Sequence, residues 1–133
     1  MSTPDPLQSL FVSESQAIDR QQLATLLSPY LAINKETGAF DFSSQFRDLP
    51  NAEMILLVLS AVKARSLVLK SMVDEISPSE IIKMEIMPLG SVKGTLKILL
   101  DARDIKSTNG KYSVPNYKIP QVVARFNQMK QPK

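Results

Sequence analysis

The chain has 133 residues, long enough for one compact domain, and contains neither cysteine nor histidine. The lack of cysteine excludes disulfide bonds and thiolate metal sites, and the lack of histidine removes the commonest general base and metal ligand near neutral pH. The net charge is +3, but it is unevenly distributed: residues 1–82 carry 6 basic and 10 acidic side chains, giving −4, whereas residues 83–133 carry 10 basic and 3 acidic, giving +7. This polarity favours a polyanionic partner for the second part of the chain, although lysines that merely face solvent would give the same pattern.

No segment has the character of an export signal or a membrane anchor. Residues 1–11 contain an acid but no base and lack a long apolar run, which predicts no signal peptide. The most apolar window, residues 54–62, is too short to cross a bilayer. We therefore expect a cytoplasmic protein with no membrane partner.

The N-terminal part is predicted to be a flexible tail over residues 1–13, followed by a helix and hairpin extension over residues 14–49. Apolar residues recur at helical spacing in residues 16–28, and Pro29 ends that pattern. Two short apolar runs flank the turn sequence of residues 34–38, which predicts a small hairpin. Ser43 or Ser44 is then expected to cap a short helix ending at Arg47.

A long helix is predicted over residues 50–72, capped by Asp48 or Asn51. Its first half is apolar on every side, and a helix of that kind is normally buried on more than one face. This helix begins a predicted domain that spans residues 50–130.

Two shorter helices follow, separated by a turn. Ser77-Pro78-Ser79-Glu80 has the form of a capping box with proline at the first helical position. The helix that it starts is expected to break at Pro88 and Gly90. A second helix is predicted over residues 91–103.

The second helix is amphipathic. Leu96 and Leu99 lie within about 40° of Val92 on a helical wheel, which predicts the buried face. The opposite face carries Lys93, Gly94, Lys97 and Asp101.

The chain is then expected to form a hairpin over residues 105–115 and a last helix over residues 117–129. Asn109-Gly110 is a strong signal for a tight hairpin turn, which needs positive φ at both central residues. The last helix has an apolar stripe formed by Ile119, Val122, Val123 and Phe126.

The order helix, helix, hairpin, together with the spacing from Ser91 to Ile105, resembles the winged helix-turn-helix superfamily. Its members often read S-V-x-x-x-L-x-x-L-x-x-x-G-x-I, and this chain departs from the pattern at Arg103, where glycine is common. The predicted fold class is therefore mainly α with small β: a winged helix-turn-helix with an N-terminal helix and hairpin extension and a C-terminal helix. The resemblance, which is to small prokaryotic regulators, implies double-stranded DNA as the partner, a role in transcription, and a homodimer formed through the C-terminal helix.

The candidate DNA-binding residues lie on the second helix and on the hairpin, or wing. Lysines can neutralise phosphates or donate to guanine, and a glycine would let the helix backbone approach the duplex closely. Lys118 and Arg125 are weaker candidates for extending this basic face. The candidate set is Ser91, Lys93, Gly94, Lys97, Lys106, Asn109 and Lys111.

Two alternatives remain open from the sequence. The lysines could form an ordinary solvated surface, with Gly94 as a packing contact. The modest lysine count, the lack of arginine on the exposed helix face and the outward Asp101 favour a winged-helix module that binds another protein. No phosphate-binding loop or acid–base pair with a histidine is present, so we expect no enzyme activity, no cofactor or metal, and no small-molecule ligand.

Overall fold

The computed structural model describes residues 5–11 and 17–130, and this part of the chain is mainly helical with two small antiparallel hairpins, as the sequence predicted. No helix within these two ranges is both long enough and apolar enough to span a membrane. The helices are α1 (Arg20–Leu27), α2 (Ser44–Arg47), α3 (Asn51–Val68), α4 (Pro78–Lys83), α5 (Leu89–Asp101) and α6 (Ile119–Lys130). The strands are β1 (Leu31–Ile33), β2 (Phe40–Phe42), β3 (Lys106–Thr108) and β4 (Lys111–Ser113).

Helix α3 is the centre of the molecule. Every residue from Met54 to Lys63 is buried, and α1, α5, α6 and β4 all pack against this helix. The predicted burial of α3 on more than one side is confirmed. An uninterrupted apolar surface of this kind is stable only when neighbours cover it on all sides.

The N-terminal helix and hairpin share one hydrophobic core with the rest of the chain. Helix α1 begins at Arg20, where the Asp19 carboxylate accepts a hydrogen bond of 3.0 Å from the Gln22 amide. Leu23, Leu26 and Leu27 then enter the core beside α3. Residues 12–16, with the predicted helix start at Gln16, lie outside the described residues. Within the predicted tail, residues 6–10 form a 3₁₀ turn.

Both ends of α3 differ from the prediction. The residue before the helix is Pro50, and neither Asp48 nor Asn51 caps it. The helix ends at Val68 rather than at residue 72. In the segment that follows, the Met72 sulfur lies against Gly38 of the first hairpin, where an added Cβ would be only 2.6 Å from it.

A buried lysine is part of the same arrangement. Lys63 is 3% exposed, and its Nζ donates to Asp74 Oδ2 at 3.1 Å and to Asn116 Oδ1 at 2.6 Å. Asp74 follows α3 and Asn116 precedes α6, so this ammonium ties three segments together. The Asp74 carboxylate compensates the charge of Lys63, and the neutral Asn116 oxygen accepts a second hydrogen bond. Lys63 is the only cation that is buried among the described residues.

The two shorter helices and their turn lie where the sequence predicted, with shifted ends. The Ser77 hydroxyl accepts a hydrogen bond of 3.3 Å from the Glu80 amide, which confirms the predicted cap of α4. Helix α5 begins at Leu89, directly after Pro88, and not at Ser91. Gly90 therefore lies in its first turn instead of the preceding loop, because Pro88 already provides the break.

Helix α5 ends in a Schellman motif two residues earlier than predicted. The Arg103 amide donates to Leu100 O and the Asp104 amide to Leu99 O, each at 3.0 Å, so two terminal carbonyls are satisfied. Arg103 itself has a φ of +64°, in the left-handed region. Position 103, where the pattern quoted above has glycine, thus adopts a backbone conformation that favours glycine, and the arginine at this position is strained.

Replacing Arg103 with glycine is expected to stabilise the fold by about 1 kcal/mol, because glycine adopts positive φ without the Cβ clash. Urea denaturation would measure the change. Arg103→Ala removes the same side chain but keeps the Cβ, so it should give no such gain. Equal stabilisation by both variants would contradict the role assigned to the backbone.

The second hairpin is joined to the segment between α3 and α4. Asn109 and Gly110 have φ values of +53° and +77°, as the predicted tight turn requires. Ile76 forms an antiparallel bridge to Tyr112 in β4, with backbone hydrogen bonds of 3.0 and 2.8 Å in the two directions. Ile76 thus extends the hairpin sideways, in the order Ile76, β4, β3.

Helix α6 closes the core and leaves no apolar stripe free. It begins at Ile119 after a 3₁₀ turn at Asn116–Lys118, two residues later than predicted. Its predicted apolar residues are all buried within the same chain, and Phe126 packs edge-on against Tyr30 at 5.7 Å between ring centroids. Because the same chain already covers this stripe, the stripe is not free to form the dimer contact that the resemblance implies, and the homodimer stays a prediction.

Candidate nucleic-acid interface

Helix α5 is held with one side against α3 and α4 and the other in solvent. Val92, Leu96 and Leu99 are buried in the core, as the helical wheel predicted. The opposite side presents Lys93, Gly94, Lys97 and Asp101, all of them exposed. Four of the seven candidate residues thus lie on this helix, with Ser91 half-buried near its start.

The two lysines of α5 differ in their electrostatic surroundings. Lys97 Nζ lies 3.5 Å from Asp101 Oδ2, one turn further along the helix, and both side chains are exposed. Such a solvated pair contributes little to stability and is readily exchanged for another anion. Lys93 makes no ion pair or side-chain hydrogen bond with any residue that the structure describes, so its ammonium group is the more available of the two.

Gly94 faces open space. A Cβ added at this position would have no atom within 4 Å, and the same is true of Gly90 one turn earlier. The alternative that Gly94 is a packing contact is therefore wrong. What remains is a patch of bare helix backbone beside Lys93 and Lys97, which a ligand could approach closely.

The substitution Gly94→Ala is expected to stabilise the fold by about 0.5–1 kcal/mol, because alanine favours the helix and the new methyl group meets nothing. If α5 enters a DNA groove at this point, the same methyl group should lower the affinity for a duplex roughly tenfold, about 1.4 kcal/mol. Urea denaturation and fluorescence anisotropy would measure the two effects separately. A stabilised variant with unchanged affinity would remove Gly94 from the interface.

The other three candidates lie on the second hairpin. Lys106 begins β3, is half-buried and lies opposite Ser113 in the register of the hairpin. Asn109 is exposed at the turn, and Lys111 is exposed at the start of β4. Asn109 and Lys111 are thus at the tip of the wing, where a neighbouring backbone could be reached.

Arg125 does not extend the basic face. Its Nε and Nη2 atoms donate to Glu53 Oε1 at 3.2 and 3.0 Å, and its Nη1 atom lies 3.6 Å from Asp104 Oδ2. The guanidinium thus joins the start of α3 to the end of α5 and is neutralised by two carboxylates. Lys118, the other weak candidate, is half-buried and 3.5 Å from the Gln121 side-chain oxygen.

Sequence reasoning missed two apolar residues on the exposed part of α5. Leu89 is 54% exposed and Ile98 is 67% exposed. The signal for Ile98 was available, since its helical-wheel position is about 120° from Val92 and outside the buried arc. These two side chains make the exposed part of α5 mixed in character, with both basic and apolar groups.

The perturbed titratable groups lie elsewhere and have structural causes. Burial lowers the pKa of the Arg65 guanidinium, and the nearby charge of Glu80 partly opposes this shift. Burial likewise raises the pKa of the Tyr30 hydroxyl. Within residues 5–11 and 17–130, no three acidic side chains are grouped so that they could hold a metal ion.

Comparison with known proteins gives no relative: no family model, no curated protein and no solved structure matches this chain.

Proposed function

We propose that this chain binds double-stranded DNA as a winged helix-turn-helix protein and acts as a sequence-specific transcriptional regulator. In this proposal the N-terminal half of α5 enters the major groove, and the tip of the β3–β4 hairpin contacts the neighbouring phosphate backbone. Side chains from one helix then read base edges while lysines on both elements hold the phosphates.

The observation that carries the proposal is the arrangement of α3, the Ile76 bridge, α4, α5 and the hairpin. This is the element order of a winged helix, with the first strand reduced to one bridged residue. The bridge to Tyr112 supports the assignment because it joins the segment before α4 to β4 and not to β3. Such an arrangement fixes the hairpin beside the helix pair, as a DNA-binding wing requires.

The charge distribution supports the same function. Residues 83–133 carry a net +7, and Lys93, Lys97 and Lys111 are exposed on the two elements proposed to touch DNA. The opposing carboxylate, Asp101, lies at the last turn of α5. We therefore infer that the N-terminal end of the helix points into the groove, which keeps this negative charge away from the phosphates.

The salt dependence of binding tests the proposal. Anisotropy titrations with mixed-sequence genomic duplexes should show binding at low salt, with the logarithm of the affinity falling linearly with the logarithm of the salt concentration. Four lysines on phosphates, those at 93, 97, 106 and 111, give an expected slope of about −3 to −4, because each neutralised phosphate contributes about −0.9. No binding at low salt, or binding that salt does not weaken, would contradict the proposal.

A second candidate function is a protein-binding module, and the exposure of Leu89 and Ile98 favours it. On a helix that reads DNA, an isoleucine as exposed as Ile98 contributes to base recognition only where it contacts a thymine methyl group. On a protein-binding helix, the same residue would serve as an apolar anchor. A negative result in the salt titration would support this second function.

A further inference from the structure

An apolar groove lies beside α1 and α3, and no residue of α5 is among the described residues that line it. Its main cavity, of about 310 Å³, lies between α1, β1 and the C-terminal half of α3. A smaller cavity of about 120 Å³ continues it along α1. Ala24, Ala64 and Val68 line both cavities, and Val68 is 70% exposed. The groove is thus an uncovered apolar surface on the main body of the fold.

A second uncovered apolar surface lies on the N-terminal segment, residues 5–11. Leu7, Leu10 and Phe11 are 60%, 73% and 78% exposed. Asp5 caps this segment by accepting a hydrogen bond of 2.9 Å from the Leu7 amide, and Leu7 and Leu10 share one face of the 3₁₀ turn. Three large apolar side chains on so short an ordered turn are typical of a docking motif and not of an isolated surface residue.

The two surfaces match in size and in charge. Five residues of 3₁₀ helix span about 10 Å, and the eight residues of α1 beside the groove span about 12 Å. Asp5 is the one charged residue of the segment, whereas Arg20, Lys35 and Arg65 line the groove. No acidic side chain occurs among the described residues that line either cavity.

We propose that the N-terminal segment of one chain docks into the groove of a second copy, so that two chains form a symmetric homodimer by reciprocal exchange. A two-fold arrangement uses the same pair of surfaces twice and leaves neither uncovered. Within the single chain both surfaces face solvent, so the segment does not fill its own groove. The dimer contact is then formed by α1 and α3 and leaves α5 and the hairpin free. This inference is independent of DNA binding.

Light scattering on the full chain tests the proposal. Wild type at high-micromolar concentration should have twice the 14.8 kDa mass of one chain. A segment variant (Leu7→Ser, Leu10→Ser, Phe11→Ser) and a groove variant (Ala24→Glu, Val68→Glu) should each have the mass of a monomer. Both change only exposed side chains, so far-UV circular dichroism should be unaffected. A monomeric wild type would overturn the proposal.

Two further samples decide which surfaces are in contact. A control variant with two other exposed apolar residues replaced, Val73→Glu and Ile98→Glu, should remain dimeric, and a monomeric control would overturn the proposal by placing the contact elsewhere. Mixing the segment variant with the groove variant should restore a dimer, since the pair retains one intact segment and one intact groove. A mixture that stays monomeric would overturn the docking of one chain's segment into the groove of another chain.

Discussion

Replacing both Lys93 and Lys97 with glutamate is expected to lower the affinity for a DNA duplex by at least about 100-fold, because two phosphate contacts are lost and two repulsive charges take their place. The slope of log affinity against log salt should also become shallower by about 2. The fold should survive, since both side chains are exposed and the main new cost is a repulsion of about 0.5 kcal/mol between Asp101 and the carboxylate introduced one turn before it. Anisotropy titrations measure the binding and circular dichroism the fold.

A matched variant separates the local effect from the effect of net charge. Arg47→Glu with Lys70→Glu changes two exposed cations outside α5 and the wing. Each change of a cation to glutamate alters the charge by −2, so both double variants lower the net charge from +3 to −1. We expect the control to bind DNA with a loss of less than about tenfold, since distant charges are largely screened. Equal losses in the two variants would mean that α5 is not the contact surface.

A third variant should act in the opposite direction. Asp101→Asn releases Lys97 from its ion pair and removes a negative charge from the exposed face of α5. The affinity for DNA should therefore rise several-fold, with the largest gain at low salt, where the repulsion is least screened. A decrease would place Asp101 in a favourable contact, as expected of a carboxylate that accepts a hydrogen bond from cytosine or binds a protein partner.

The largest expected effect on stability comes from the buried Lys63. Asp74→Ala should destabilise the fold by about 2–3 kcal/mol, because it removes the carboxylate beside the buried Lys63 ammonium. The Asn116 side chain would then be the remaining acceptor of a hydrogen bond from this ammonium. The loss is below that of a fully enclosed pair because Asp74 is half-exposed. Replacing the neighbouring Glu75 with alanine is a suitable control, and its effect should stay within about 0.5 kcal/mol. Urea denaturation measures both.

Removing the charge itself should cost less than removing its partner. Lys63→Met keeps an aliphatic chain in the core and leaves Asp74 free to meet water, so the change in stability should stay within about 1 kcal/mol. The double variant Lys63→Met with Asp74→Ala should then be about as stable as Lys63→Met alone, and more stable than Asp74→Ala. Additive losses would show that the two side chains do not act as a pair.

Features set by neighbouring residues could be predicted from the sequence. The Ser77 cap, the turn at Asn109-Gly110 and the buried face of α5 each depend on side chains within a few residues, and each lies where it was predicted. The early end of α3 could not be foreseen in this way. No helix breaker precedes Met72, and the contact of Met72 with Gly38 joins residues that are distant in the chain.

Electrostatic partners were hardest to predict. Nothing in the sequence around Lys63 indicates that it is buried between Asp74 and Asn116. Arg125 was a weak candidate for the basic face, yet it pairs with Glu53, which is 72 residues away in the chain. Such pairs depend on how helices pack, and helical spacing alone carries no information about them. The placement of the candidate residues was easier to predict, because they share one helix and one hairpin.

An NMR titration of the isotopically labelled chain with a mixed-sequence duplex at low salt tests most directly whether α5 enters the groove. The backbone amides of residues 89–97 should show the largest shifts, with smaller changes at Asn109–Lys111 and little change in α1 or the β1–β2 hairpin. The largest shifts at α1 or β1–β2, or no shifts at all, would contradict the account.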